Sequence, residues 1–145
     1  MRSFKHLKYL LAGRPETDPK TLRRLSRSKS LKIRQRVAEN SSCPNDVLSS
    51  LSNDSNSEVK IAVAGNPKTN KLILYILSWC DDSDVRFWIA SNTGSPREII
   101  SMLTKDENPF VADRAKRTFR KMEPREFKTR TGQTALRSTA VLQLA

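Results

Sequence analysis

A pattern of side chains returns every 26 residues, and nothing else in the chain limits its fold as strongly. The stretch 57–66, Ser-Glu-Val-Lys-Ile-Ala-Val-Ala-Gly-Asn, serves as the reference. Val59 has Leu7 and Ile33 behind it and Val85 and Val111 ahead of it at that interval, and Val63 aligns in the same way with Leu11, Val37, Ile89 and Ala115. Ala64 aligns with Ala12, Ala38 and Ala90, Asn66 with Asn40 and Asn92, and Lys60 with Lys8, Arg34 and Arg86. Apolar columns this deep at one fixed spacing mark a repeat architecture, in which a unit too small to bury its own apolar face stacks on its neighbours.

Each unit divides into two short helical patterns. In the first, Val59 and Val63 stand one turn apart on a single face. Glu58 and Asp84 stand at its start, where a carboxylate suits the unpaired N–H groups and the positive end of the dipole. The asparagine column stands where the helix must stop, and Asn is expected there in the left-handed conformation of a C-cap, with Pro67 blocking continuation in one unit. The second helix is expected to begin near Pro44, Asn70 and Pro96, since proline is at home in a first turn. Three columns draw its inner face: Leu22, Leu48, Leu74 and Ile100; Leu25, Leu51, Leu77 and Leu103; Thr21, Val47, Ile73 and Ile99. Positions i, i+1 and i+4 then make an apolar face of the width that packing between helices requires. Connectors such as 53–57, Asn-Asp-Ser-Asn-Ser, are turn chemistry.

The sequence therefore predicts an all-α fold, a right-handed α-solenoid of four and a half two-helix repeats. Four units span 7–32, 33–58, 59–84 and 85–110, and a half unit runs from 111 to about 121. Arg114, Lys116 and Arg117 take apolar or small positions of the earlier units, as a terminal cap with a wet outer face should. Residues 1–121 read as the repeat domain, and 122–145, without period and poor in apolar residues, as a basic flexible tail.

The phrases Val37-Ala38-Glu39-Asn40, Val63-Ala64-Gly65-Asn66-Pro67 and Asp84-Val85-Arg86 resemble the recurring Val-Arg-x-x-Val-Ala-x-Asn-Pro signature of the variant leucine-rich repeat family, part of the larger group of armadillo-like and HEAT-like helical repeats. The resemblance covers about residues 7–120. It implies a binding scaffold, an inference that passes through fold alone. Some family members carry a cysteine-rich, cluster-binding segment at the N-terminus. This chain has no cysteine there, so no iron–sulfur cluster is implied.

Charge is distributed unevenly. Lys and Arg number 27 against 15 Asp and Glu, a formal net charge of +12. Residues 1–30 hold nine basic and two acidic side chains, residues 111–145 nine and three, and the middle nine and ten. Such ends favour anionic partners. The apolar run near the N-terminus is broken by Lys8 and too brief for a secretory core or a membrane span, which sets a cytoplasmic location and no membrane partner as the expectation. Cys43, Cys80 and the single His6 make no ligand set at metal spacing. Both cysteines fall in polar columns and read as free, part-exposed thiols.

Three groups of residues are candidates for function. Tyr75 shares its column with Arg23, Ser49 and Ser101, and Trp79 with Arg27, Asn53 and Lys105, so both break polar columns four residues apart on one face. With Trp88, in a mixed column with Leu10, Arg36, Ala62 and Arg114, they are candidate partner-binding anchors, exposed Trp and Tyr being common hot spots and stacking platforms. A tail folded back over them, or a second copy of the chain covering them, is the alternative. The second group is the basic column Lys8, Arg34, Lys60 and Arg86, which places one cation per unit either along a phosphate backbone or in a ladder of ion pairs with Asp54, Glu58, Asp82 or Asp106. The third is the terminal clusters, Arg23, Arg24 and Arg27 at one end and Arg114, Lys116, Arg117, Arg120 and Lys121 at the other, which the sequence leaves without matching acids.

Some HEAT-like repeat proteins that resemble this architecture are alkylpurine DNA glycosylases, and Trp79, Asp81, Asp82, Asp84, Arg86 and Trp88 lie close together in the sequence. The acidic residues fall in a connector whose capping chemistry already accounts for them. No nucleophile–base set, paired carboxylates on one helix face, phosphate loop or metal cluster is present in the sequence. The expectation is a non-enzymatic binding module without cofactor or small-molecule substrate, foremost a protein-interaction scaffold, with nucleic-acid binding by the basic ends as the alternative.

Overall fold

A computed structural model describes residues 2–123, with side chains from Phe4, and the backbone of 127–128 and 134–135. Nine helices occupy the described residues: α1 (Arg2–Gly13), α2 (Pro19–Leu25), α3 (Leu31–Ala38), α4 (Asn45–Leu51), α5 (Ser57–Gly65), α6 (Lys71–Leu77), α7 (Ser83–Ser91), α8 (Arg97–Leu103) and α9 (Pro109–Lys121). The starts of α3, α5, α7 and α9 fall 26 residues apart, and so do those of α2, α4, α6 and α8. The odd-numbered helices pack on one another in chain order, α1 on α3, α3 on α5, α5 on α7 and α7 on α9, and each even-numbered helix from α2 to α8 packs on its odd-numbered neighbours in sequence. The tail assigned to 122–145 lies largely outside the described residues. Within it, Phe127–Lys128 and Thr134–Ala135 form a two-residue antiparallel pairing.

The apolar columns make the core. Ile33, Val59, Val85 and Val111 are buried, as are Val37, Val63, Ile89 and Ala115 and the four alanines Ala12, Ala38, Ala64 and Ala90. The second-helix columns Leu22, Leu48, Leu74 and Ile100, and Leu25, Leu51, Leu77 and Leu103, are buried throughout. The N-terminal unit departs from the pattern. Leu7 is 52% exposed although Ile33, Val59, Val85 and Val111 in its column are buried, and no described helix precedes α1 to cover it.

Helix entry is governed by a column that the pattern had not singled out. Asn56, Asp82 and Asn108 are the N-caps of α5, α7 and α9, their side chains accepting from the N–H groups of Glu58, Asp84 and Phe110. Glu58 and Asp84 lie inside the first turn. Pro44 and Pro96 occupy the cap position of the second helix, one residue earlier than first-turn proline. Asn70 caps α6 through Ile73 N–H.

The asparagine column does not adopt the left-handed cap conformation. Asn66 (φ −73°, ψ 129°) and Asn92 (φ −88°, ψ 111°) leave their helices extended. Asparagine is wanted for its side chain. Asn66 Nδ2 donates to the carbonyls of Ala38 (2.6 Å) and Asn40 (2.9 Å), and Asn40 Nδ2 to those of Ala12 (2.8 Å) and Arg14 (2.9 Å), each reaching back 26 and 28 residues into the preceding unit. Their Oδ1 atoms accept from Lys68 and Ser42 N–H. At Asn40 and Asn66 two donors and an acceptor on one short arm thus tie consecutive units together, each bond contributing about 1 kcal/mol net, whereas among the described residues the Asn92 side chain only accepts from Gly94 N–H.

A second polar column, buried at Thr17 and Ser95 and half-buried at Thr69, explains the small hydroxyls near the turn. Thr17 Oγ1 donates to Leu11 O (2.6 Å), Thr69 Oγ1 to Val63 O (2.5 Å) and Ser95 Oγ to Ile89 O (3.1 Å), each saturating a carbonyl at the end of a first helix. Cys43 occupies this column and is fully buried, not part-exposed. Burial pushes its thiol up to about 11, which suppresses the thiolate and its reactivity at neutral pH.

Candidate binding surfaces

Helix α6 is apolar on both sides. Ile73, Leu74 and Leu77 face the core, while Leu72 (66% exposed), Tyr75 (49%), Ile76 (48%) and Trp79 (64%) line the outer face. The outer four stand at i, i+3, i+4 and i+7, neighbours on a helical surface. Trp79 lies just past the helix end, where Trp79 N–H donating to Ile76 O (3.1 Å) continues the helical course. The Tyr75 and Trp79 rings meet edge to face, centroids 6.3 Å apart. Beside Trp79 opens a recess of about 280 Å³ lined by Met102 and Leu103 and by the charged Asp81, Arg86, Lys105, Asp106 and Glu107. The aligned positions on the flanking helices are polar or charged except Met102: Asp46, Ser49 and Ser50 on α4, and Glu98 and Ser101 on α8. Leu72 and Ile76 had not been singled out in the sequence. Leu72 aligns with Lys20, Asp46 and Glu98, and Ile76 with Arg24, Ser50 and Met102, so the repeat alignment carried their signal.

Trp88 belongs elsewhere. It is half-buried on α7, and its ring edge lies over α5: a Cβ added to Gly65 would come within 3.1 Å of Trp88 Cη2. It lines a recess with Glu39, Glu58, Ile61 and Gly65, a set that Tyr75 and Trp79 do not share. Glycine at position 65 makes room for the indole, so this ring has a packing role of its own.

The basic column splits by chemistry. Arg34 donates through Nε and Nη2 to both oxygens of Asp54 (2.6 and 3.0 Å) and through Nη1 to Ser28 O (2.8 Å). Arg86 repeats this with Asp106 (2.9 and 3.1 Å) and the carbonyls of Cys80 and Asp81. These two cations are therefore committed inside the fold and correct the expectation that the whole column could bind anions. Burial pulls the Asp54 and Asp106 carboxyls upward. The arginine bonds, an N–H bond from Asn56 or Asn108 and the guanidinium charge outweigh it and hold both below the usual carboxylate value. Lys60 and Lys8 make no such pair, because the residue 20 positions on is Cys80 or Ser28 in place of aspartate. Lys60, half-buried, lies in charge range of Asp54 and Asp82.

The terminal clusters are partly compensated too, against expectation. Arg23 forms a two-bond pair with Asp46 of the next unit (2.7 and 3.1 Å), and Arg117 pairs with Asp113 one turn earlier (2.8 Å). Arg114 donates to Ser91 Oγ (2.9 Å) and lies over Phe87. Arg24, Arg27, Lys116, Arg120 and Lys121 remain exposed, with no ion pair among the described residues.

The Trp–Asp–Arg group that raised the glycosylase comparison is engaged structurally. Asp82 caps α7 and accepts from Ser57 Oγ, Asp84 is exposed in the first turn of α7, and Arg86 is held by Asp106. Cys80 is half-buried and its thiol is raised by burial. Among the described residues no group of three or more His, Cys, Asp or Glu is placed to hold a metal ion, and no helix is long and apolar enough to cross a membrane. No family model, curated protein or solved structure matches the chain.

Proposed function

We propose that this chain is a non-catalytic helical-repeat module of the cytoplasm, a right-handed solenoid of four and a half units related in kind to the variant leucine-rich repeats, which docks a protein partner on the outer face of α6. The observation that carries the reading is the exposed set Leu72, Tyr75, Ile76 and Trp79. Folding does not need these groups on the surface, since the aligned positions are mostly polar, and a contiguous exposed apolar patch marks an interaction site. The four outer side chains of α6 are uncharged, which suits the apolar stripe of an amphipathic helix of another protein better than a polyanion. The recess that Met102 and Leu103 help to line gives a partner side chain a place to insert beside Trp79.

The test begins with a partner recovered on the immobilised chain from nuclease-treated extract, then purified and titrated. Trp79→Ala is expected to weaken that complex by roughly 2 kcal/mol or more, the range of an interface hot spot, while its circular dichroism melt stays within about 1 °C of the parent. Unchanged affinity, or a lowered melting temperature with affinity intact, would make the ring structural and remove the proposal. A Trp79-dependent dimer in light scattering would replace the foreign helix with a second copy of the chain.

A further inference from the structure

The N-terminal unit holds a recess of about 620 Å³ between α1, the end of α2 and the start of α3, lined by Lys5, Lys8, Arg24, Arg27 and Lys29 and by no carboxylate. Its origin can be read from the ion-pair ladder. In the second and fourth units an arginine on the first helix is closed by an aspartate 20 residues on, Arg34 by Asp54 and Arg86 by Asp106. The equivalents in the first unit are Lys8 and Ser28. Ser28 keeps the turn, its Oγ accepting from Ser30 N–H (3.2 Å) as Asp54 and Asp106 accept from Asn56 and Asn108 N–H (3.0 and 2.8 Å). It drops the charge. The third unit makes the same exchange with Lys60 and Cys80, but there Asp54 and Asp82 lie in charge range of the lysine. Only the first unit gathers five cations around the vacated position.

We infer that this recess takes the phosphate groups of a nucleic-acid backbone, an external oxyanion standing where the ladder lacks its aspartate. Five cations exceed what one phosphoryl group of charge near −2 can neutralise, so successive phosphates of a strand fit better than a phosphorylated side chain. The cations line a concavity, which a strand can enter and a flat lipid surface cannot. Lysine at position 8 also suits the site: a mobile point charge serves a passing phosphate, whereas arginine suits a fixed two-bond partner. This surface is distinct from the α6 face, and the two assignments stand or fall separately.

The experiment completes the ladder. In Lys8→Arg/Ser28→Asp the new pair can copy Arg34–Asp54, so the double variant should melt at or above the parent temperature while the recess loses a free cation and gains an acid. Binding of a fluorescently labelled single-stranded oligonucleotide and of its duplex is followed by anisotropy with the full chain, between about 50 and 200 mM salt. The double variant should bind roughly tenfold more weakly at the lower salt and show a shallower salt slope, whereas Thr93→Asp, an equal charge change on an exposed turn, should stay within about twofold of the parent. If the double variant does not fold, Lys5→Gln, the same charge change at an exposed position, replaces it with the same expectation. The inference fails if the folded variant keeps the parent's affinity and slope, if Thr93→Asp loses as much, or if the parent binds anionic vesicles and neither oligonucleotide.

Discussion

Asp106→Ala is expected to lower the unfolding free energy by roughly 3–5 kcal/mol, the cost of breaking a buried ion pair. The Arg86 and Asp106 side chains are 7% and 6% exposed, so removing the carboxylate strands a desolvated guanidinium. Its remaining bonds go to the carbonyls of Cys80 and Asp81 and to Glu107, a contact of 3.5 Å from a side chain mostly in water. Asp46→Ala, which breaks the exposed pair with Arg23, should leave the stability almost unchanged. The contrast tests burial rather than charge. Asp106→Leu/Arg86→Met should then cost less than Asp106→Ala, because no unpaired charge is left behind. A urea titration of the four proteins decides it, and equal losses at Asp46 and Asp106 would overturn the account.

The same pair sets a pH dependence of definite sign. The Asp106 carboxyl is held below its ordinary value in the folded chain, so the unfolded state binds the proton first as acid is added. The stabilisation is complete above the unfolded carboxylate value near 4 and is lost as pH falls toward the lower folded one. Asp54 acts in the same direction. Asp106→Asn should therefore flatten part of the acid limb of the stability curve and leave its shape above about pH 5 unchanged.

Most of the architecture was legible because it was written several times. A column of valines and isoleucines at a fixed spacing has no use except a shared interior, and the observed helix starts repeat with the same 26-residue step. Single columns were less informative about polar residues. Lys8, Arg34, Lys60 and Arg86 look alike in a column, and only reading across columns, from each cation to the residue 20 positions on, shows that arginine goes with aspartate and lysine with serine or cysteine. Planar two-bond recognition explains that association, since lysine cannot reproduce it. The asparagines failed for a related reason. A local capping rule accounted for them well enough to hide their bonds to carbonyls 26 and 28 residues earlier, which are contacts between units. Cys43 was misplaced because its polar neighbours in the column, Thr17, Thr69 and Ser95, are themselves buried or half-buried, bonded to helix-end carbonyls. Tyr75 and Trp79 were found as exceptions to polar columns. The same test applied evenly would have found Leu72 and Ile76 on the same face.

Helix α6 also offers the sharpest test of the fold, because it carries large apolar groups on both sides. Leu77 is 1% exposed and aligns with Leu51 and Leu103, which are buried alike. Leu77→Ala should leave a cavity among packed helices and cost on the order of 2–5 kcal/mol, the spread reflecting how far the neighbours can close in. At roughly 3 °C per kcal/mol for a chain of this size, the melting temperature should fall by about 6–15 °C. Leu72→Ala removes the same atoms from the outer face and should stay within about 0.5 kcal/mol of the parent. In the proposed solenoid each unit is stabilised by its two neighbours, so the cavity at Leu77 should weaken both interfaces at once. The transition should then broaden as the units on either side lose their coupling. Two melts and two urea titrations suffice. If Leu72→Ala proves as costly as Leu77→Ala, the inner and outer faces of α6 have been interchanged, and the docking surface proposed on the outer face goes with them.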